Sequence, residues 1–368
     1  MTRRREYLLR SRLASPDVSL RPDTGFSIPM SRKAHLATPG SRAMNELRPL
    51  FLLSLPRSGS TLLQRMLAAH SRISTSPEPW VLLPHLYSTR RSGIFTEYGH
   101  HTAVTAIDDF CRRLPAGRQA YRQEVREMAL RLYAQASRSD ARYFVDKTPR
   151  YSLIADEIFD VFPDAAFIVL WRNPLAVLAS ILDSWLNGRW EPYLHKVDLF
   201  EGLERLLDAY ERNRARVVSL RYEDLVTDPT AQTARLLDHL GLAWEPGVIH
   251  DVARVRLRGA MGDQTGVHDY HQVSRQSLKK WPAMFTSPLR KAWCRRWLRW
   301  IGPHRLAVMG YDLQDLLHAV DDAPSRLTSL APDLALTAKG ALWSVAEPAI
   351  ARRKWAALPR WHRVFSHT

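Results

Sequence analysis

The chain has 368 residues, 53 Lys and Arg against 37 Asp and Glu for a formal net charge of +16, 45% hydrophobic and 24% charged residues. That balance excludes a disordered chain, no apolar run reaches the roughly 18 residues of a membrane span, and two cysteines, Cys111 and Cys294, are too few for a disulfide framework or a Cys-rich metal site. So large a basic surplus points to a polyanionic partner, while scattered basic residues and no zinc-finger, homeodomain or RNP pattern argue against nucleic acid.

Residues 1–46 read as a basic extension punctuated by Pro16, Pro22, Pro29 and Pro39. Its start, Thr2-Arg3-Arg4-Arg5, superficially resembles a twin-arginine signal, but Arg10, Arg12, Asp17 and Arg21 interrupt the apolar region that export requires. A cytoplasmic, reducing setting is the expectation.

The first ordered element is a buried parallel strand over 49–55, stopped by Pro56. A helix over 60–69 follows, with Leu62, Leu63, Met66 and Leu67 at helical spacing. Between them lies Pro56-Arg57-Ser58-Gly59-Ser60-Thr61. A helix N-terminus offers unpaired N–H groups and the positive end of the dipole. Gly59 permits close backbone approach, the hydroxyls of Ser58, Ser60 and Thr61 add donors, and Arg57 supplies charge. Such a turn suits a phosphate, although an ordinary N-cap by Ser58 or Ser60 produces the same local pattern. GxxxxGK[ST] is absent, because no Lys follows Gly59.

Further along, strands are expected over 142–145, 166–171 and 217–220, each followed by a helical pattern, over 150–161, 174–187 and 222–240. Arg172 leaves the end of the 166–171 strand, Asn173-Pro174 starts the next helix, and Ser180 lies eight positions on, two turns along. A guanidinium and a hydroxyl on one side fit a second phosphate. Strands alternating with helices imply an α/β fold, a P-loop-like parallel sheet with helices on both faces, whose ligands bind at the C-terminal strand ends. Arg57, Lys147, Arg172 and Tyr222 all fall just past such ends. Near the C-terminus, Trp293, Trp297 and Trp300 share one helix face, read as core-facing. The stretch from Ala338 to Phe365, where Trp343, Trp355 and Trp361 interleave with Arg352, Arg353 and Lys354, is the better site for peripheral membrane contact.

In this order the motifs resemble the sulfotransferases that use 3′-phosphoadenosine 5′-phosphosulfate (PAPS), especially the branch holding the tyrosylprotein and carbohydrate enzymes. The resemblance implies that PRSGST is the 5′-phosphosulfate loop, with Arg57, Ser58, Gly59, Ser60 and Thr61 binding the donor, and that Arg172 and Ser180 hold its 3′-phosphate. Glu78, in Ser76-Pro77-Glu78-Pro79-Trp80, lies twenty-one positions after Arg57, where the tyrosylprotein branch carries its catalytic glutamate. Lys147, in Asp146-Lys147-Thr148-Pro149, resembles a lysine that faces the sulfuryl group; Tyr222 resembles one packed near the adenine; Lys279 and Lys280 resemble a basic loop that closes over the nucleotide. Another branch uses His, which makes His100 and His101 fallback bases.

The implied organisation is an extension at 1–46, a sulfotransferase domain at 47–313 and a basic, Trp-containing appendage at 314–368. The implied reaction is metal-independent sulfuryl transfer to a hydroxyl acceptor, first a carbohydrate or glycolipid, alternatively a tyrosine or small metabolite. A kinase-like phosphotransferase should carry a Walker-type lysine and an acidic strand end for Mg²⁺, and neither is evident. A non-catalytic nucleotide binder is the other rival. No internal repeat, and nothing about oligomeric state, is legible.

Overall fold

The structure is a computed structural model that describes residues 47–346 apart from 92, 93, 95, 97, 256, 258–277 and 279. Every described residue lies in one compact unit, within Pro39–Thr368.

Five parallel strands form one sheet: β1 (Arg48–Ser54), β2 (Ile73–Thr75), β3 (Tyr143–Asp146), β4 (Ala166–Trp171) and β5 (Val217–Arg221), in the order β2-β3-β1-β4-β5. The expected parallel α/β sheet is thus present. β1 is central, with Leu50 opposite both Val145 of β3 and Ala166 of β4. A strand flanked on both edges and covered on both faces must be apolar throughout, and Leu50 through Leu53 are fully buried. Because side chains alternate, each strand feeds two cores. Phe51, Leu53, Phe144, Phe167 and Val169 enter one, with Leu175, Leu178 and Leu182 of the helix Pro174–Leu186. Leu50, Leu52, Val145, Ile168 and Leu170 enter the other, with Leu62, Leu63, Met66 and Leu67 of the helix Ser60–Ala68.

Two of the differences from the sequence expectations have local reasons. β2 has only three residues, too few to show a period. The helical pattern over 222–240 is two helices, Tyr222–Thr227 and Pro229–His239, because Pro229 begins a new first turn that Asp228 caps through the Ala231 N–H at 3.0 Å.

The described part of 314–368 adds to the first core. Leu316 and Val320 are buried in it, and Asp333, in the helix Leu330–Ala346, meets the Arg290 guanidinium through two 2.8 Å hydrogen bonds. In the Trp stripe, Trp297 is buried and Trp293 partly so, whereas Trp300 is 40% exposed and rests edge-on against Phe200. Trp343 faces Tyr193 with ring centroids 6.2 Å apart. Trp355 and Trp361, the core of the expected membrane contact, lie outside the described residues, as does the 1–46 extension.

Candidate active site

The order β3-β1-β4 makes β1 the point from which the chain departs to either side, the place where open α/β sheets leave a crevice. The loop after β1 lies there. Arg57 has φ +64° and Gly59 φ +87°, two left-handed residues that fold the loop back before the helix. At Gly59 a side chain is also excluded by space, since a Cβ would lie 2.3 Å from the Tyr222 ring. The Ser58 N–H returns to the Leu55 carbonyl at 3.4 Å, and the Gly59 carbonyl receives the N–H groups of Leu62 and Leu63. Among the described residues, the N–H groups of Gly59, Ser60 and Thr61 have no protein acceptor. No capping side chain takes them either, so the ordinary N-cap alternative fails here and the terminus is open to an anion.

On the β4 side, the Asn173 side chain accepts from the N–H groups of Leu175 and Ala176 and so starts the helix Pro174–Leu186. That helix presents Ser180 and Ser184, one turn apart, to a single partner: Arg57 Nε donates to Ser180 Oγ at 3.1 Å and Arg57 Nη2 to Ser184 Oγ at 2.9 Å. The Arg57 guanidinium also lies 5.7 Å from the Trp185 ring, itself 44% exposed. Arg172 donates from Nη1 to the Arg57 carbonyl at 2.7 Å and lies over the Tyr222 ring at 4.4 Å. Its Nε is buried without a partner among the described residues.

On the β3 side, Lys147 is 1% exposed and its ammonium donates to Glu78 Oε1 at 2.8 Å and to Thr61 Oγ1 at 3.3 Å. The Trp80 indole N–H donates to Glu78 Oε2 at 3.3 Å, so both carboxylate oxygens have a donor. Neighbouring Asp146 turns the other way, into the first core, and accepts from the hydroxyls of Tyr133, Tyr151 and Thr148 at 2.5, 3.1 and 3.1 Å. Burial pushes its carboxyl up to about 6 against the pull of those hydrogen bonds and of the Lys147 charge. The same burial, with the Asp146 charge alongside, raises the Tyr133 and Tyr151 phenols well above their usual range.

Residues 49–246 match the Sulfotransferase family. The chain belongs to that family. It is 31% identical over 227 residues to the nodulation protein NoeE of Sinorhizobium fredii, covering 54% of this chain and 51% of that one, so it spans about half the relative's length. Protein-tyrosine sulfotransferase 2 of Gallus gallus is 22% identical over 252 residues, 65% of this chain and 64% of the other. A solved sulfotransferase domain from the Synechococcus PCC 7002 olefin synthase is similar at 25% identity with a TM-score of 0.47, covering 64% of this chain and 88% of that chain.

Of the residues expected to form a sulfotransferase site, Arg57, Ser180, Arg172 and Tyr222 meet in one linked group, and Glu78, Lys147 and Thr61 in another, joined through the loop. Tyr222 is buried between Gly59 and the Arg172 guanidinium. His100 is buried with its ring at 2.6 Å from the Arg90 carbonyl and His101 is exposed; no hydrogen bond ties either to Glu78 or Lys147. Lys280 is exposed, and Lys279 lies outside the described residues. Among the described residues, no cluster of His, Cys, Asp and Glu could hold a metal ion.

Four participants escaped the sequence reading: Ser184, Trp80, Thr148 and Asp146. Ser184 carried a signal, since it lies four residues beyond Ser180 and so on the same helix face. Asp146 carried one too, because alternation along β3 puts it on the face of Phe144, where Tyr133 stacks with ring centroids 4.6 Å apart.

Proposed function

We propose that the chain moves a sulfuryl group from PAPS to a hydroxyl, first of a carbohydrate or glycolipid. One observation carries this: a carboxylate, an ammonium and an open helix N-terminus form a single contact chain, Glu78 to Lys147 to Thr61, at the C-terminal ends of adjacent strands. An anion binder alone has no use for a carboxylate there, whereas group transfer to a hydroxyl needs both an anion cradle and a proton acceptor.

The residues present fit the donor. Three N–H groups without a protein acceptor, at Gly59, Ser60 and Thr61, suit its 5′-phosphosulfate together with the loop hydroxyls, and the orphaned Nε of Arg172 suits its 3′-phosphate. When bound, PAPS supplies a sulfuryl group already joined to a phosphate that can depart. Glu78 takes the acceptor's hydroxyl proton on an oxygen now met by Lys147 or Trp80. Lys147 and Arg57 offset charge on the oxygens around the transferred group. A reducing, cytoplasmic setting belongs to the same proposal and is supported by the free, buried thiols of Cys111 and Cys294.

Single-turnover transfer by Glu78→Gln at saturating PAPS tests the assignment. Donor affinity stays nearly unchanged while the rate falls on the order of 10²-fold or more for an alkyl hydroxyl, and less for a phenol of pKa about 10, so the loss also reports acceptor class. A rate within a few-fold of the unsubstituted protein removes Glu78 from the mechanism.

A further inference from the structure

Glu78 sits in a short segment, Pro77 to Leu82, with little secondary structure of its own. Trp80 occupies φ +59°, a conformation that a bulky residue keeps only when its surroundings impose it. Two backbone contacts do so. The Trp80 N–H donates to Thr148 Oγ1 at 3.3 Å, and the Leu82 N–H donates to the Tyr151 hydroxyl at 3.1 Å. A hydroxyl has one proton, and both of these hydroxyls give theirs to Asp146, at 3.1 Å in each case. Their lone pairs are thereby turned toward Trp80 and Leu82. With Asp146, Thr148 and Tyr151 all 1% exposed or less, no solvent competes for those protons.

We infer that Asp146 is a positioning residue for the transfer reaction: by taking the protons of Thr148 and Tyr151, it orients the two acceptors that fix Trp80 and Leu82, and so holds the Glu78 carboxylate in place. Trp80 completes the link, since the residue whose backbone is pinned is also the one whose indole reaches Glu78 Oε2. The catalytic consequence rests on the proposed role of Glu78, while the pinning of the segment does not. Tyr133 is the internal control, because it donates to the same carboxylate at 2.5 Å on the side of the helix Arg118–Ala136 and its hydroxyl bonds neither of the two amides.

Amide hydrogen exchange at Trp80 and Leu82 in the full chain, without donor or acceptor, tests the pinning, and steady-state kinetics test its consequence. Thr148→Val should speed exchange at Trp80 about tenfold and leave Leu82 as it was, Tyr151→Phe the reverse, and Asp146→Asn, which keeps one acceptor oxygen and puts a donor in place of the other, should free at least one of the two. Tyr133→Phe should lower global stability yet keep both amides protected. Thr148→Val and Tyr151→Phe should each lose about tenfold in kcat with donor KM unchanged, the signature of a misplaced group and not of weaker binding. Unchanged exchange in both Thr148→Val and Tyr151→Phe overturns the inference, as does equal release of the two amides by Tyr133→Phe, or released amides with kcat intact while Glu78→Gln is inactive. Should Glu78→Gln retain full turnover, the base assignment fails on its own, and the exchange measurements still decide whether Asp146 pins the segment. Both amides still protected in Asp146→Asn would leave Thr148 and Tyr151 as the pins and remove Asp146 from the inference, and Asp146→Ser, which is shorter and keeps a single hydroxyl, is the second variant if Asp146→Asn folds poorly.

Discussion

The cation on the β3 side of the loop and those on the β4 side are held by different kinds of group. Lys147 faces a carboxylate, with 1% of its side chain exposed and 13% of Glu78's. Arg57 is met by two serine hydroxyls and an indole face, Arg172 by a carbonyl and a phenol ring. An ion pair offsets part of its own charge, so Lys147 presents a weaker field to a ligand than a cation that meets only neutral groups. Arg172, resting on a neutral carbonyl and a phenol ring, has no carboxylate partner among the described residues and keeps an N–H available. One loop therefore lies between a cation paired with a carboxylate and cations that meet hydroxyls, a carbonyl and aromatic rings, although both sides begin with a basic residue at a strand end.

The difference breaks first at Lys147. Lys147→Met keeps the length of the side chain but strands Glu78 in a largely buried place, and removing one partner of a buried pair costs about 3–5 kcal/mol. Urea unfolding should read a loss of that order. A loss under about 1 kcal/mol would mean that the pair behaves like a surface contact and that the β3 side is as open as the β4 side.

Arg172 should respond in the opposite way. Arg172→Ala removes a cation that has no carboxylate partner among the described residues, so the fold loses little, while PAPS affinity falls by about 1.5–3 kcal/mol, a factor of roughly 10 to 100. Calorimetry with a donor analogue lacking the 3′-phosphate sharpens the comparison: that analogue binds both proteins equally if Arg172 serves the 3′-phosphate. An equal loss for both ligands would put Arg172 elsewhere on the donor.

Much of this division was legible before any coordinates. The four longer strands follow from apolar runs ended by Pro56, Asp146, Arg172 and Arg221, and the anion side from cations placed just past strand ends. The carboxylate side was legible only as a resemblance at Glu78. Its partners lie far off in sequence: Lys147 is sixty-nine residues away, and Tyr133 reaches Asp146 from a separate helix. Spacing along a chain reports neighbours on one element. It carries no information on which long-range pair will close across a sheet, so the reading that Lys147 faces a bound group missed that it first faces Glu78.

The smallest effect concerns Ser184, and it asks whether the β4 side is preorganised or merely charged. Arg57 Nε and Nη2 rest on hydroxyls one helical turn apart, a fork that holds the guanidinium plane along the helix Pro174–Leu186. Ser184→Ala removes one tine and leaves Ser180, Trp185 and the charge itself in place. Its hydroxyl is partly solvent-accessible, so the lost hydrogen bond is worth about 0.5–1.5 kcal/mol and water replaces part of it. PAPS affinity should weaken by about two- to tenfold, with single-turnover rate at saturation reduced by no more than that. Ser180→Ala is the companion measurement, since Ser180 is expected to touch the donor as well as Arg57 and should cost more. If Ser184→Ala costs as much as Ser180→Ala, the two hydroxyls act only through Arg57, and the role of Ser180 as a direct phosphate ligand falls away. If Ser184→Ala costs nothing while Ser180→Ala does, Arg57 needs no second anchor and the fork describes only the protein before the donor arrives.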